Sequence, residues 1–169
     1  MDQAGIDFEV IPSPAEEIHD EKLTPADLCE ENAYLKAAAV AAEYSEAVVI
    51  GADTLVFLNG IPQGKPKSEK EAFNMLKKLS GNSYHVCTGV CIIHGDHVDK
   101  FHQLTEVVFK KLSDKEIIEY MKKVHVMDKA GAYAAQEHRE RIIDEIRGEY
   151  TNVIGLPMNL LKEKLRKAA

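Results

Sequence analysis

The chain has 169 residues, enough to bury a sizeable apolar interior without a disulfide or zinc staple, and its 45% apolar and 29% charged residues exclude a disordered chain. Its 21 basic and 28 acidic residues leave a net charge of −7, which argues against a nucleic-acid coat, since phosphate backbones call for a basic face. No apolar run approaches the roughly 20 residues of a membrane helix, and MDQAGIDFEV has neither the basic start nor the apolar core of a secretory signal. With three sparse cysteines, Cys29, Cys87 and Cys91, the expectation is a cytoplasmic protein with reduced thiols.

Along the chain, strand and helix signals alternate. Ile6–Ile11 is short and rich in apolar and β-branched residues, which predicts a strand. Pro12–Glu17 holds two prolines and reads as a loop. Thr24 is an N-cap with Pro25 in the first helical position, opening an Ala-rich helix to Tyr44. Ala47–Leu58 reads as a strand buried on both faces, followed by an Asn59-Gly60 hairpin turn. Ser68-Glu69-Lys70-Glu71 is a capping-box pattern for a helix to about Leu79, ended by Gly81-Asn82. Tyr84–His94 and Val98–Lys110 are expected to be strands joined at Gly95-Asp96. A second capping box at Ser113–Glu116 leads a helix to about Lys122; Arg141–Ile146 reads as a strand, and Pro157 opens the last helix. This order predicts an α/β fold, one sheet with helices against it, in one domain or at most two small lobes.

Asp53 is the strongest anomaly, a carboxylate inside the most apolar strand. An isolated buried carboxylate needs a cation, a metal or a functional reason, the alternative being a strand-end Asp that caps backbone N–H groups. Lys65, in Gly64-Lys65-Pro66, reaches the Asp53 end of the strand if the chain folds back at Asn59-Gly60. A carboxylate and an ammonium in one cleft suit a metal-bound polyphosphate; a lone loop lysine is otherwise a solvated one. Glu16 or Glu17 is a candidate second metal ligand against the reading of a solvated acidic turn. Lys36 either snorkels to solvent or points into the cleft. Asp128–Tyr133 suggests a close backbone approach, and Gln136 beyond it can read a base edge through its amide. Cys87 and Cys91 with His85 and His94 are better read as buried strand residues than as a metal site.

Taken together, FEVIPSPAEE (8–17), YLKA (34–37), GADTLVFLNGIPQGKPKSEKEA (51–72), MLKKLSGNSYHVCTGV (75–90), TEVVFKKLSDKEIIEYM (105–121), DKAGAYAAQ (128–136) and GEYTNVIGLP (148–157) resemble the Maf family of nucleoside triphosphate pyrophosphatases over nearly the whole chain. The resemblance implies a two-lobed fold with a curved mixed sheet and a central nucleotide cleft, a divalent cation (Mg²⁺ or Mn²⁺), and a homodimer. It implies hydrolysis of dTTP or UTP, with possible action on modified nucleotides, to the monophosphate and pyrophosphate. Position by position, it makes Asp53 the general base or metal holder, Glu17 a partner on the metal, Lys36 and Lys65 phosphate binders, and Thr54 and Gln136 the residues of pyrimidine choice.

Two departures stand out. The family's Ser-x-Ser-Pro-Arg-Arg loop and its strand belong before Ile6 and are not in the sequence, which leaves open a catalytically impaired nucleotide-binding or regulatory protein. The usual Gly-Ile-Gln-Gly reads Ala134-Ala135-Gln136-Glu137, which bears on base preference.

Overall fold

A computed structural model describes residues 5–168. Helix α1 (Pro25–Ala41) opens as its sequence dictates: the Thr24 hydroxyl accepts from the Asp27 N–H, and Pro25, which lacks an N–H, sits where none is needed. Strands β1 (Val49–Leu58) and β2 (Ile61–Gln63) form an antiparallel hairpin in which Leu58 faces Ile61 across Asn59-Gly60. Both turn residues have positive φ, 52° and 76°, the conformation that two-residue hairpin turns require. Helix α2 (Glu69–Leu79) is capped by Ser68, which accepts from the Glu71 N–H; Glu71 in turn accepts from the Lys67 N–H, one residue earlier than a reciprocal box would have it. Strands β3 (Ser83–His94) and β4 (His97–Phe109) follow, then helix α3 (Asp114–Lys123), whose Ser113–Glu116 box is complete.

The remaining elements are short. A 3-10 turn at Ala130–Ala132 and helix α4 (Arg139–Ile142) precede strand β5 (Ile143–Arg147). Helix α5 (Tyr150–Val153) precedes α6 (Met158–Ala168), which starts with the Pro157 carbonyl accepting from the Leu161 N–H. The sheet has five strands in the order β2-β1-β3-β4-β5. The α/β class holds, and β1 pairs antiparallel with β2, as β4 does with β5.

Two expectations need correction. Ile6–Ile11 is not a strand: it pairs with no strand, and Val10 is 77% exposed. β propensity is realised only where the backbone finds a ladder and the side chains a face to pack on. Of Arg141–Ile146, the first two residues belong to α4 and only the rest to β5.

The chain divides into two compact units. The first holds the chain up to Thr54, Thr88–Gln103 and the chain from Gly155 onward; the second holds Leu55–Cys87 and Leu104–Ile154. In the first unit the strand alternation sorts the core into two layers. Cys91 and Ile93 of β3 and Val49 of β1 pack under α1 against Ala33 and Ala37. Val90 and Ile92, pointing the other way, pack with Phe101 and with Leu161 of α6. The second unit is built on Leu76, Leu79, Ile117, Tyr120 and Ile142, with Tyr84, Phe109 and Tyr133 in mutual edge-to-face contact at centroid distances of 5.2–5.6 Å.

Helix α1 lies on its strands at backbone contact distance. A Cβ on Gly51 would fall 2.3 Å from the Ala33 carbonyl oxygen, and one on Gly89 would fall 2.2 Å from the Cys29 carbonyl carbon. Neither neighbour is a flexible side chain, so neither can yield without moving the helix. Gly89→Ala therefore lowers stability by about 3 kcal/mol, a drop of about 10 °C in the unfolding midpoint. Gly64→Ala is the control, because a Cβ there meets nothing within 4 Å. Thermal unfolding of the two variants beside the parent checks this.

Candidate functional site

The site grows out of the same close approach. Because side chains alternate along β1, Val49, Gly51 and Asp53 share the face covered by α1. With no side chain at Gly51, α1 sits low enough for its own residues to reach the carboxylate one step further on. Asn32 and Lys36, four residues apart, are on the same side of α1.

Asp53 is 5% exposed. The Lys36 Nζ donates to its Oδ1 at 2.7 Å and lies 2.7 Å from Oε1 of Glu17, an exposed residue of the N-terminal loop. One ammonium thus bridges a buried and an exposed carboxylate. Lys36 does not snorkel away: its side chain is 25% exposed and its charge is spent on this pair. Burial pulls the Lys36 pKa down, but hydrogen bonds and charge attraction from Asp53 and Glu17 outweigh it and hold the group above its ordinary 10.5.

Asn32 completes the cluster and was not singled out by the sequence. Its side chain is buried, its Oδ1 accepts from the Ile18 N–H at 2.8 Å, and its Nδ2 donates to the Ile18 carbonyl at 3.2 Å and to Asp53 Oδ2 at 3.3 Å. The available signal was helical spacing alone: a polar residue four before Lys36, on the same side of the helix.

Thr54 points to the opposite face of β1, and its hydroxyl pairs at 3.0 Å with that of Thr88, which is fully buried. Gly155, at φ +107°, comes close by: a Cβ there would be 3.4 Å from Thr54 Oγ1.

In the second unit, β2 returns along β1 as far as the Gln63–Val56 pair, and exposed Lys65 follows two residues later, before buried Pro66. The Gly64 carbonyl accepts from the Gly131 N–H at 3.1 Å, which ties the Lys65 loop to the Asp128–Tyr133 segment. Gly131 and Ala132 both have positive φ, so the close backbone approach expected of that segment is made by two left-handed residues. Gln136 is exposed, and the stretch before it is pinned: the Ala134 N–H donates to the Tyr120 hydroxyl at 3.0 Å, and the Tyr150 hydroxyl donates to the Ala135 carbonyl at 3.2 Å. Tyr133 is in the core.

The three cysteines are buried and form no disulfide, and burial pushes the Cys91 thiol up to about 11, so it is no nucleophile near neutral pH. Among the described residues no group of three or more His, Cys, Asp or Glu side chains could hold a metal. The donor chemistry of Glu17 and Asp53 nevertheless fits a hard divalent cation. They are two carboxylates brought around a single positive charge, and Mg²⁺ is commonly held by one or two carboxylates with water and phosphate oxygens completing its shell.

The Lys36 bridge has a pH signature. A pKa raised on folding contributes stability that is fully present below the unfolded value and is lost as pH rises through the folded one. Lys36→Met leaves Asp53 buried without its cation and costs about 1–3 kcal/mol near neutral pH, discounted for the partial exposure of Lys36 and Glu17. The gap from the parent narrows as pH rises through the raised folded-state value, when the parent's ammonium is lost as well. Denaturant unfolding of both proteins at about pH 8 and about pH 11.5 checks the direction.

The profile of the family described as "Maf-like protein" matches residues 1–168. A dTTP/UTP pyrophosphatase of Akkermansia muciniphila is 50% identical over 158 residues, 94% of this chain and 84% of that protein. One of Aquifex aeolicus is 46% identical over 166 residues, 96% of this chain and 85% of that protein. One of Ruminiclostridium cellulolyticum is 40% identical over 170 residues, 99% of this chain and 88% of that protein. With its family profile matched from end to end of the described fold, the chain belongs to the Maf-like protein family.

Proposed function

We propose that this chain is a nucleoside triphosphate pyrophosphatase acting on dTTP and UTP, as its relatives' names say of them. The observation that carries the reading is the nearly buried Asp53 carboxylate held by Lys36, which also holds Glu17. A carboxylate held in a fixed position is the kind of group that serves as a general base toward water. In the reaction, water attacks the α-phosphorus, the bond from that phosphorus to the α–β bridging oxygen breaks, and pyrophosphate leaves on that oxygen. The water's proton goes to Asp53, and the products are the nucleoside monophosphate and pyrophosphate.

Glu17 and Asp53 are the residues that would hold a divalent cation, Mg²⁺ or Mn²⁺. Such a cation, when bound, supplies charge neutralisation on the phosphate oxygens. Lys36 then exchanges part of its carboxylate contact for phosphate, which a flexible ammonium with three donors allows. Lys65, exposed on a loop anchored at Gly64, supplies the second positive charge for phosphate. We assign base choice to Gln136, whose amide offers a donor and an acceptor, and to Thr54, whose hydroxyl is oriented by Thr88.

Pyrophosphate release from a panel of nucleoside triphosphates with Mg²⁺ or Mn²⁺ tests the reading. Asp53→Asn keeps the shape and removes the base, and kcat on dTTP and UTP falls by about 1,000-fold or more. Lys65→Ala acts mainly on binding and raises KM about tenfold. Undiminished turnover in Asp53→Asn would remove the proposed mechanism.

A further inference from the structure

We infer that Asn32 is a positioning residue for the reaction proposed above, on which the inference rests: it fixes the rotation of the Asp53 carboxylate and holds in place the loop that presents Glu17. The last torsion of an aspartate side chain is soft and broadly distributed, so a single donor does not set the plane of its carboxylate. Lys36 is such a single donor, on a long flexible stem, and it grips only Oδ1. Oδ2 is gripped by the Nδ2 of Asn32, a short and fully buried side chain of the same helix. Two donors four residues apart on α1, one for each oxygen, hold the carboxylate in one orientation.

The amide itself cannot turn. Its Oδ1 faces the Ile18 N–H, a donor, while its Nδ2 faces the Ile18 carbonyl and the Asp53 carboxylate, both acceptors. A flipped amide would set donor against donor once and acceptor against acceptor twice. Both Nδ2 hydrogens are thereby committed, one to Ile18 and one to Asp53. Holding the loop would require only the Ile18 pair; the additional bond reaches the residue that takes the proton. Ile18 follows Glu17 directly, so one buried side chain sets the position of both carboxylates that Lys36 bridges. An ångström of misplacement at a general base is enough to slow proton transfer substantially.

The test is a double-mutant cycle on the full chain, measuring pyrophosphate release from dTTP for Asn32→Ala, Asp53→Asn and the pair. The expected result is a kcat lowered about tenfold by Asn32→Ala with KM changed less than about twofold, and a change of less than about twofold when the same substitution is made in the Asp53→Asn background. A merely structural asparagine would cost the same factor in both backgrounds, and that result overturns the inference, as does an unchanged kcat in Asn32→Ala. Asn32→Ser, one group shorter and unable to supply the Oδ2 donor, carries the same cycle if the alanine variant does not fold. Retained turnover in Asp53→Asn alone overturns the underlying functional reading, and it is distinguished from failure of the Asn32 inference because it requires no change at Asn32.

Discussion

Contact between the backbone of α1 and the glycines at 51 and 89 is the constraint on which the rest of the first unit depends. Most helices stand off a sheet by the length of the side chains packed between the two layers. Here the helix contributes Ala33 and Ala37 and the strands contribute glycine, so the layers close further. The consequence is chemical as well as mechanical. A short side chain such as Asn32 can touch a strand residue only if the helix is this near, and Lys36 can bend back to Asp53 instead of running to solvent.

Electrostatics then explains why Asp53 is tolerated at a position with 5% exposure. Desolvating a carboxylate is costly, and the cost is met by a cation on one oxygen and an amide donor on the other. Burying the pair completely would make it a static structural feature. Glu17 prevents that, since it is 44% exposed and shares the same ammonium, so the cluster has one side closed against the helix and one side open.

The second unit is organised on different lines, by main-chain ties. The Gly131 N–H holds the Lys65 loop, the hydroxyls of Tyr120 and Tyr150 hold the stretch that ends at Gln136, and the amide of fully buried Asn152 donates to the Val86 carbonyl and to Thr105. Thr105 in turn donates to the Glu149 carbonyl. The bonds to Gly64, Ala134, Ala135 and Glu149 satisfy backbone groups that lie outside the strands and helices.

Local patterns by themselves determined a large part of this protein. The caps at Thr24, Ser68 and Ser113, the turns at Asn59-Gly60 and Gly95-Asp96, and the long strands between them follow from hydrogen-bonding and backbone preferences that act within a few residues. The burial cost of a lone carboxylate likewise marked Asp53 before any partner was known. What only the tertiary structure decided are the relations between distant segments. Ile6–Ile11 has a strand's composition and no ladder to join. Neighbours in sequence, Asp53 and Thr54 face opposite sides of β1, because strand alternation outweighs adjacency. Asn32, without an unusual local pattern, became the second hand on Asp53 only because Gly51 and Gly89, 19 and 57 residues away, let its helix down onto the sheet, and no local rule carries information over that separation.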